Sequence, residues 1–62
     1  MSEIFIETHI VGGIMRVTAI DAETGVEVVF QAPPKTPRSG IEKLAAGKLR
    51  YVLRKLAADD KT

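Results

Sequence analysis

The sequence contains no cysteine and no tryptophan, a single histidine and only three aromatic residues in 62. Without cysteine no disulfide can staple the chain. With one histidine, a structural zinc site of the usual cysteine/histidine type is excluded as well. A cysteine-free chain is compatible with a reducing cytoplasm. The longest unbroken apolar run is far too short to span a bilayer. The opening Met1-Ser2-Glu3 shows neither the basic nor the apolar region of a secretory signal, so the cytoplasm is the expected location. Gly12-Gly13 has no GxGxxG or Walker context and is not a phosphate loop. No serine or threonine has a histidine at a useful spacing, and His9, near Glu7, lies in a segment that offers no pocket to shift its pKa or position a substrate. The expectation is therefore a non-enzymatic chain with no catalytic residues, no cofactor and no metal.

The remaining residues describe one small domain over 1–62. A chain of this size gains only about 3–5 kcal/mol of net stability from its core. Good packing or a partner chain must supply any shortfall. The near-neutral total charge of +1 hides a division. Residues 1–34 carry Glu3, Glu7, Asp21, Glu23 and Glu27 against Arg16 alone. Residues 35–55 carry seven lysines and arginines against Glu42 alone. An acidic half is followed by a basic one.

Residues 4–11 are dense in β-branched and aromatic side chains, which predicts a strand. Gly12-Gly13 supplies the two positive φ angles of a tight hairpin turn. A second strand follows over 14–20, then a turn cluster from Asp21 to Gly25, then a third strand over 26–32. A two-residue loop at Gly12-Gly13 sets Val11 opposite Ile14, His9 opposite Arg16, Thr8 opposite Val17 and Phe5 opposite Ile20. A four-residue loop from Ala22 to Gly25 sets Val28 opposite Ala19 and Phe30 opposite Val17. Because side chains alternate across the pleat, this register sorts them into two faces. One gathers Ile4, Ile6, Thr8, Ile10, Met15, Val17, Ala19, Val28 and Phe30 and should carry the core. The other is mixed: Glu7, His9, Arg16, Glu27 and Gln31 look solvated, while Phe5, Ile20 and Val29 form an exposed apolar cluster.

Three prolines over 33–38 predict a stiff connector. The segment Pro34 to Pro37 also matches the minimal proline-rich ligand pattern, although so short a match is weak and a linker is the better reading. Ser39 and Glu42 have capping-box spacing, and Ile41, Leu44, Ala45, Leu49, Val52, Leu53 and Leu56 form a helical stripe. The helix is expected over about 40–57. Asp59-Asp60 oppose the macrodipole and favour its ending there. Gly47 interrupts it, either as a tolerated imperfection, or through tight contact with the linker or a partner backbone. The fold reading is α+β: a three-stranded antiparallel meander with one C-terminal helix packed on one face, βββα.

Two surfaces could carry function. The first is the Phe5, Ile20 and Val29 cluster on the open face, together with the sheet edges. It suits a second copy of the chain or another protein, although scattered apolar residues on a half-wet face are ordinary. The second is a basic patch of Lys35, Arg38, Lys43, Arg50 and Arg54, with Tyr51 beside it. It suits nucleic-acid phosphates, although a solvated helix face has the same composition.

Two segments also carry a resemblance. Val17-Thr18-Ala19-Ile20-Asp21 leading into Thr24-Gly25-Val26-Glu27-Val28, and then Lys48-Leu49-Arg50-Tyr51-Val52-Leu53, resemble a group of short uncharacterised bacterial proteins. The resemblance implies no activity and assigns no functional residue. The function expected from the residues is a small protein-interaction module, self-associating or docking onto another protein through the open face or an edge strand. The alternative is a nucleic-acid-binding module using the basic helix face.

Overall fold

The computed structural model describes residues 3–60. Met1 and Ser2, where no secretory signal was expected, lie outside the described residues, as do Lys61 and Thr62. Three strands, β1 (Ile4–Val11), β2 (Ile14–Asp21) and β3 (Glu27–Ala32), are followed by one helix, α1 (Arg38–Asp60). The sheet is antiparallel in the order β1-β2-β3, so the arrangement is the βββα meander expected from the sequence.

The register matches the one read from the turns. Phe5 stands opposite Ile20, His9 opposite Arg16 and Val11 opposite Ile14. On the other side of β2, Val17 meets Phe30 and Ala19 meets Val28. The first turn holds because Gly12 and Gly13 both take positive φ, 56° and 79°, as a type I′ hairpin requires. The second turn is organised by Asp21. Its Oδ2 accepts from the Thr24 hydroxyl at 2.6 Å and the Thr24 backbone N–H at 3.2 Å. Gly25 N–H donates to the Asp21 carbonyl at 2.8 Å, and the Asp21 N–H donates to Val26 at 2.9 Å. Among the described residues Asp21 is the one buried charged side chain. The Thr24 hydroxyl holds its carboxyl below the usual aspartate range, against the opposing effect of burial.

The linker and helix start differ from expectation. Thr36 donates to the Pro33 carbonyl through its N–H at 3.1 Å and through its hydroxyl at 2.7 Å. The proline segment is thus a closed turn, with Pro34 pre-setting its first corner. This turn brings the chain round so quickly that the helix begins at Arg38. Ile41 N–H donates to the Pro37 carbonyl at 3.1 Å, which makes Pro37 the N-cap. Ser39 is already inside the first turn and caps nothing. Glu42 pairs with Arg38 instead, Oε2 to Nε at 3.4 Å. The close approach to the linker belongs to Gly40, where a Cβ would meet Thr36 Cγ2 at 3.3 Å, whereas Gly47 faces open space. The helix also runs on to Asp60 rather than ending near 57. Exposed charge–dipole effects amount to about 0.3–1 kcal/mol, too little to offset the helix-favouring run Leu56-Ala57-Ala58.

The helix runs along β2. Ile41 packs with Met15, Val17 and Ala32, and Ala45 and Leu49 pack with Ala19. Val17, Ala19, Ala45 and Leu49 are completely buried. From β1 only Ile4 and Ile6 join this core. Thr8 and Ile10, assigned to the core face by alternation, point to the correct side but stay exposed. The reason is geometric. A helix about 10 Å across cannot roof three strands spaced about 4.8 Å apart, and this one sits over β2 and β3, leaving β1 the least covered. Leu44 of the predicted stripe is exposed for a related reason: it lies at the margin of the contact, and Leu56, also exposed, lies on the turns beyond it.

Candidate interaction surface

On the face away from the helix, cross-strand pairing assembles the expected apolar cluster. Phe5 and Ile20 are directly opposed. Val29 pairs with Thr18 and so lies diagonal to Ile20, within side-chain reach. Phe5 is 56% exposed and Val29 50%, while Ile20 is half-buried between its neighbours. Phe5, Ile6, Glu7, Thr18 and Ile20 line a shallow depression of about 230 Å³. The row His9, Arg16, Gln31 crosses the middle of the face. Val11 and Ile14 form a second apolar pair at the hairpin end, both exposed.

The most open backbone belongs to β1. Its position at the end of the strand order leaves its outer side without a neighbour among the described residues. The tight hairpin decides which groups face outward. Val11 and Ile14 flank a two-residue turn and are hydrogen-bonded to each other, so Val11, His9, Glu7 and Phe5 spend their backbone groups on β2. Ile4, Ile6, Thr8 and Ile10 therefore turn their N–H and C=O groups to the free edge. Proteins usually guard such an edge with lysine, proline, a bulge or a short strand. β1 is eight residues long, Ile-Phe-Ile-Glu-Thr-His-Ile-Val, with no lysine, no proline and one formal charge. Its exposed apolar residues sit on both faces. Ile10, 61% exposed, is on the helix side, and Val11, 63% exposed, is on the open side. β3, the other edge, is shorter, carries Glu27 and Gln31, and ends at Pro33-Pro34.

The basic residues do not form one patch. Lys43, Arg50 and Arg54 lie exposed along the outer face of α1, spaced over about 16 Å at the helical rise. Arg38 is on another flank, paired with Glu42, and Lys35 belongs to the proline turn. Lys48 Nζ lies 5.2 Å from the centre of the Phe30 ring and covers the β3 margin of the core with its stem. Lys55 Nζ stands 5.7 Å from the Tyr51 ring. His9 is exposed beside Arg16. Among the described residues no group of histidine, aspartate and glutamate could hold a metal ion. No helix there is long and apolar enough to cross a membrane.

Sequence reasoning missed two features of the fold, the bare stretch of β1 and the burial of Asp21 in its turn. The incomplete roof over β1, which exposes Thr8 and Ile10, has no signature in the residues themselves. Asp21 did have one: aspartate followed three residues later by threonine and then glycine is the pattern of a side-chain-closed turn.

A family described as Domain of unknown function (DUF6898) matches residues 1–56. No curated protein and no solved structure matches the chain.

Proposed function

We propose that this chain, which belongs to the DUF6898 family of domains of unknown function, is a small non-enzymatic protein-interaction module whose working surface is strand β1. One observation carries the reading. An eight-residue edge strand presents four outward-facing backbone positions and exposed apolar side chains on both faces, with no lysine, proline or bulge to guard against strand addition and a single charge, Glu7. The Phe5, Ile20 and Val29 cluster continues that surface across the open face. The proposal includes a cytoplasmic setting, as a cysteine-free chain permits.

Amide spectra of the isotope-labelled chain, recorded over a range of concentrations and in extract of its native cell, test the reading. The expected result is that the Ile4, Ile6, Thr8 and Ile10 amides shift and become protected from hydrogen exchange. Thr8→Pro removes one outward N–H and leaves the bonds to β2 in place, so it should abolish both effects. Amides of β1 that stay unprotected in every condition, with changes confined elsewhere, would overturn it.

A second reading rests on the outer stripe of α1. Lys43, Arg50 and Arg54 are exposed on one side of the helix with no acid between them along that stripe. Such a stripe can contact nucleic-acid phosphates. Titration with DNA and RNA at low salt, compared with Arg50→Glu, decides it. The reading requires binding that weakens steeply with salt and with the substitution.

A further inference from the structure

Building on the proposed role of β1, we propose that the occupant of its free edge is β1 of a second copy, paired antiparallel about a two-fold axis at Thr8, so that two three-stranded sheets become one six-stranded sheet.

The outward-facing backbone positions are all even-numbered, so an antiparallel partner must match even residues to even residues. Few symmetric registers satisfy this, and their side-chain pairings differ. With the axis at Thr8, Thr8 meets its own copy, and Ile6 meets Ile10 of the other copy on the helix side. On the open side Phe5 meets Val11, and Glu7 meets His9. Each of these pairs occurs twice. Val11, Ile10 and Phe5, exposed by 63%, 61% and 56%, each gain an apolar neighbour. The one carboxylate of the strand meets its one imidazole, whose N–H can donate to it. Moving the axis to Glu7 would set the two Glu7 carboxylates directly opposite each other, an unfavourable cross-strand pair. Moving it to His9 would set the two histidines opposite each other and Glu7 against Val11. Only the Thr8 register matches charge with a hydrogen-bonding partner and apolar with apolar throughout.

The rest of the fold accommodates this pairing. The two-fold axis is perpendicular to the sheet, so both helices lie on the same side. Each helix sits over β2 and β3 of its own sheet, so the two are at least three strand spacings apart, about 14 Å or more. Helices in direct contact are about 8–10 Å apart, so the two pass without collision. The gap between them lies over Thr8 and Ile10, the stretch of β1 that the helix leaves unroofed. The uncovered part of the core face is therefore where the second copy would add Ile6 and Ile10.

The absence of native cysteine makes the register directly testable. In Thr8→Cys the two new thiols would sit on directly opposed residues about 5.5 Å apart at Cα, within disulfide range. In Glu7→Cys they would be offset by two residues, at about 8 Å, and outside it. The expected result is a sedimenting dimer, rapid disulfide cross-linking of Thr8→Cys, and little cross-linking of Glu7→Cys. Glu7→Lys and His9→Glu should each weaken the dimer about tenfold, and the double variant should restore it, because the pair occurs twice per dimer. Faster cross-linking at Glu7→Cys, or no rescue by the double variant, would overturn the register. A chain that remains monomeric at high concentration would overturn self-pairing altogether. If the β1 amides still respond to cell extract in that case, the interaction-module reading stands with a different protein as occupant.

Discussion

At the residue scale, two positions separate backbone conformation from side-chain chemistry. Gly47 lies inside α1 with open space where a Cβ would go and with no positive φ. Replacing it with alanine removes only the entropic penalty of glycine, so Gly47→Ala should stabilise the fold by about 0.5–1 kcal/mol. A higher thermal midpoint with unchanged association would be the measured outcome. Asp21 acts through charge. Its folded-state pKa lies below its ordinary value, chiefly because the Thr24 hydroxyl donates to the carboxylate. Such a group contributes stability that is fully present above the unfolded pKa, near about 4, and is lost as pH falls through the lower folded value. Denaturant unfolding of the chain and of Asp21→Asn over a pH series should therefore show a stability difference at neutral pH that shrinks as the solution is acidified below about pH 4.

At the scale of elements, the helix is unevenly anchored. Twenty-three residues at the helical rise extend about 34 Å, longer than an eight-residue strand of about 27 Å. The helix begins over the Met15 and Ala32 end of the sheet, so its last turns pass beyond the strands. This matches the 42 Å long dimension of the molecule. Leu49, completely buried against Ala19, is a central contact. Leu49→Ala should cost about 2–5 kcal/mol, comparable to the whole stability of so small a core, and leave the chain largely unfolded by circular dichroism. Leu56→Ala, on the overhanging part, should cost well under about 1 kcal/mol. The hairpin offers the opposite case. Gly12→Asn keeps a residue that tolerates positive φ in the first turn position and creates the favoured Asn-Gly pair. It should leave stability equal or slightly raised, whereas Gly12→Val should lower it by about 1–2 kcal/mol.

At the scale of the whole molecule, one helix on a three-stranded sheet leaves one sheet face and part of the other without cover from the described residues. If two copies pair through β1, folding and association are linked, and the thermal midpoint should rise with protein concentration. Differential scanning calorimetry over a concentration series would show this rise in the native chain and its loss in Thr8→Pro. A midpoint independent of concentration in the native chain would argue against pairing. The charge division seen in the sequence persists in space but is looser than a simple two-sided layout. Arg16 stands among the polar residues of the open face, and Arg38 is already engaged with Glu42. Three cations, Lys43, Arg50 and Arg54, make up the outer stripe of the helix.

The sequence by itself determined the strands, their register and the side-chain faces. Gly12-Gly13 allows one tight turn and the Ala22–Gly25 loop a second, and a period of two then assigns the strand residues between Ile4 and Ala32 to a side. It also determined that a single amphipathic helix would follow, and it placed Phe5, Ile20 and Val29 together. The ends of the helix were not legible in it. The Pro33–Thr36 turn closes through the hydrogen bonds of Thr36 to the Pro33 carbonyl and the helix then starts ahead of Ser39, and the weak dipole penalty at Asp59 is outweighed by its neighbours. What only the tertiary structure decided is where the helix lies on the sheet. A ridge of apolar side chains can settle over any pair of strands, and packing against Val17, Ala19 and Ala32 set it over β2 and β3, away from β1. That placement left Thr8 and Ile10 uncovered and turned an ordinary edge strand into the candidate site.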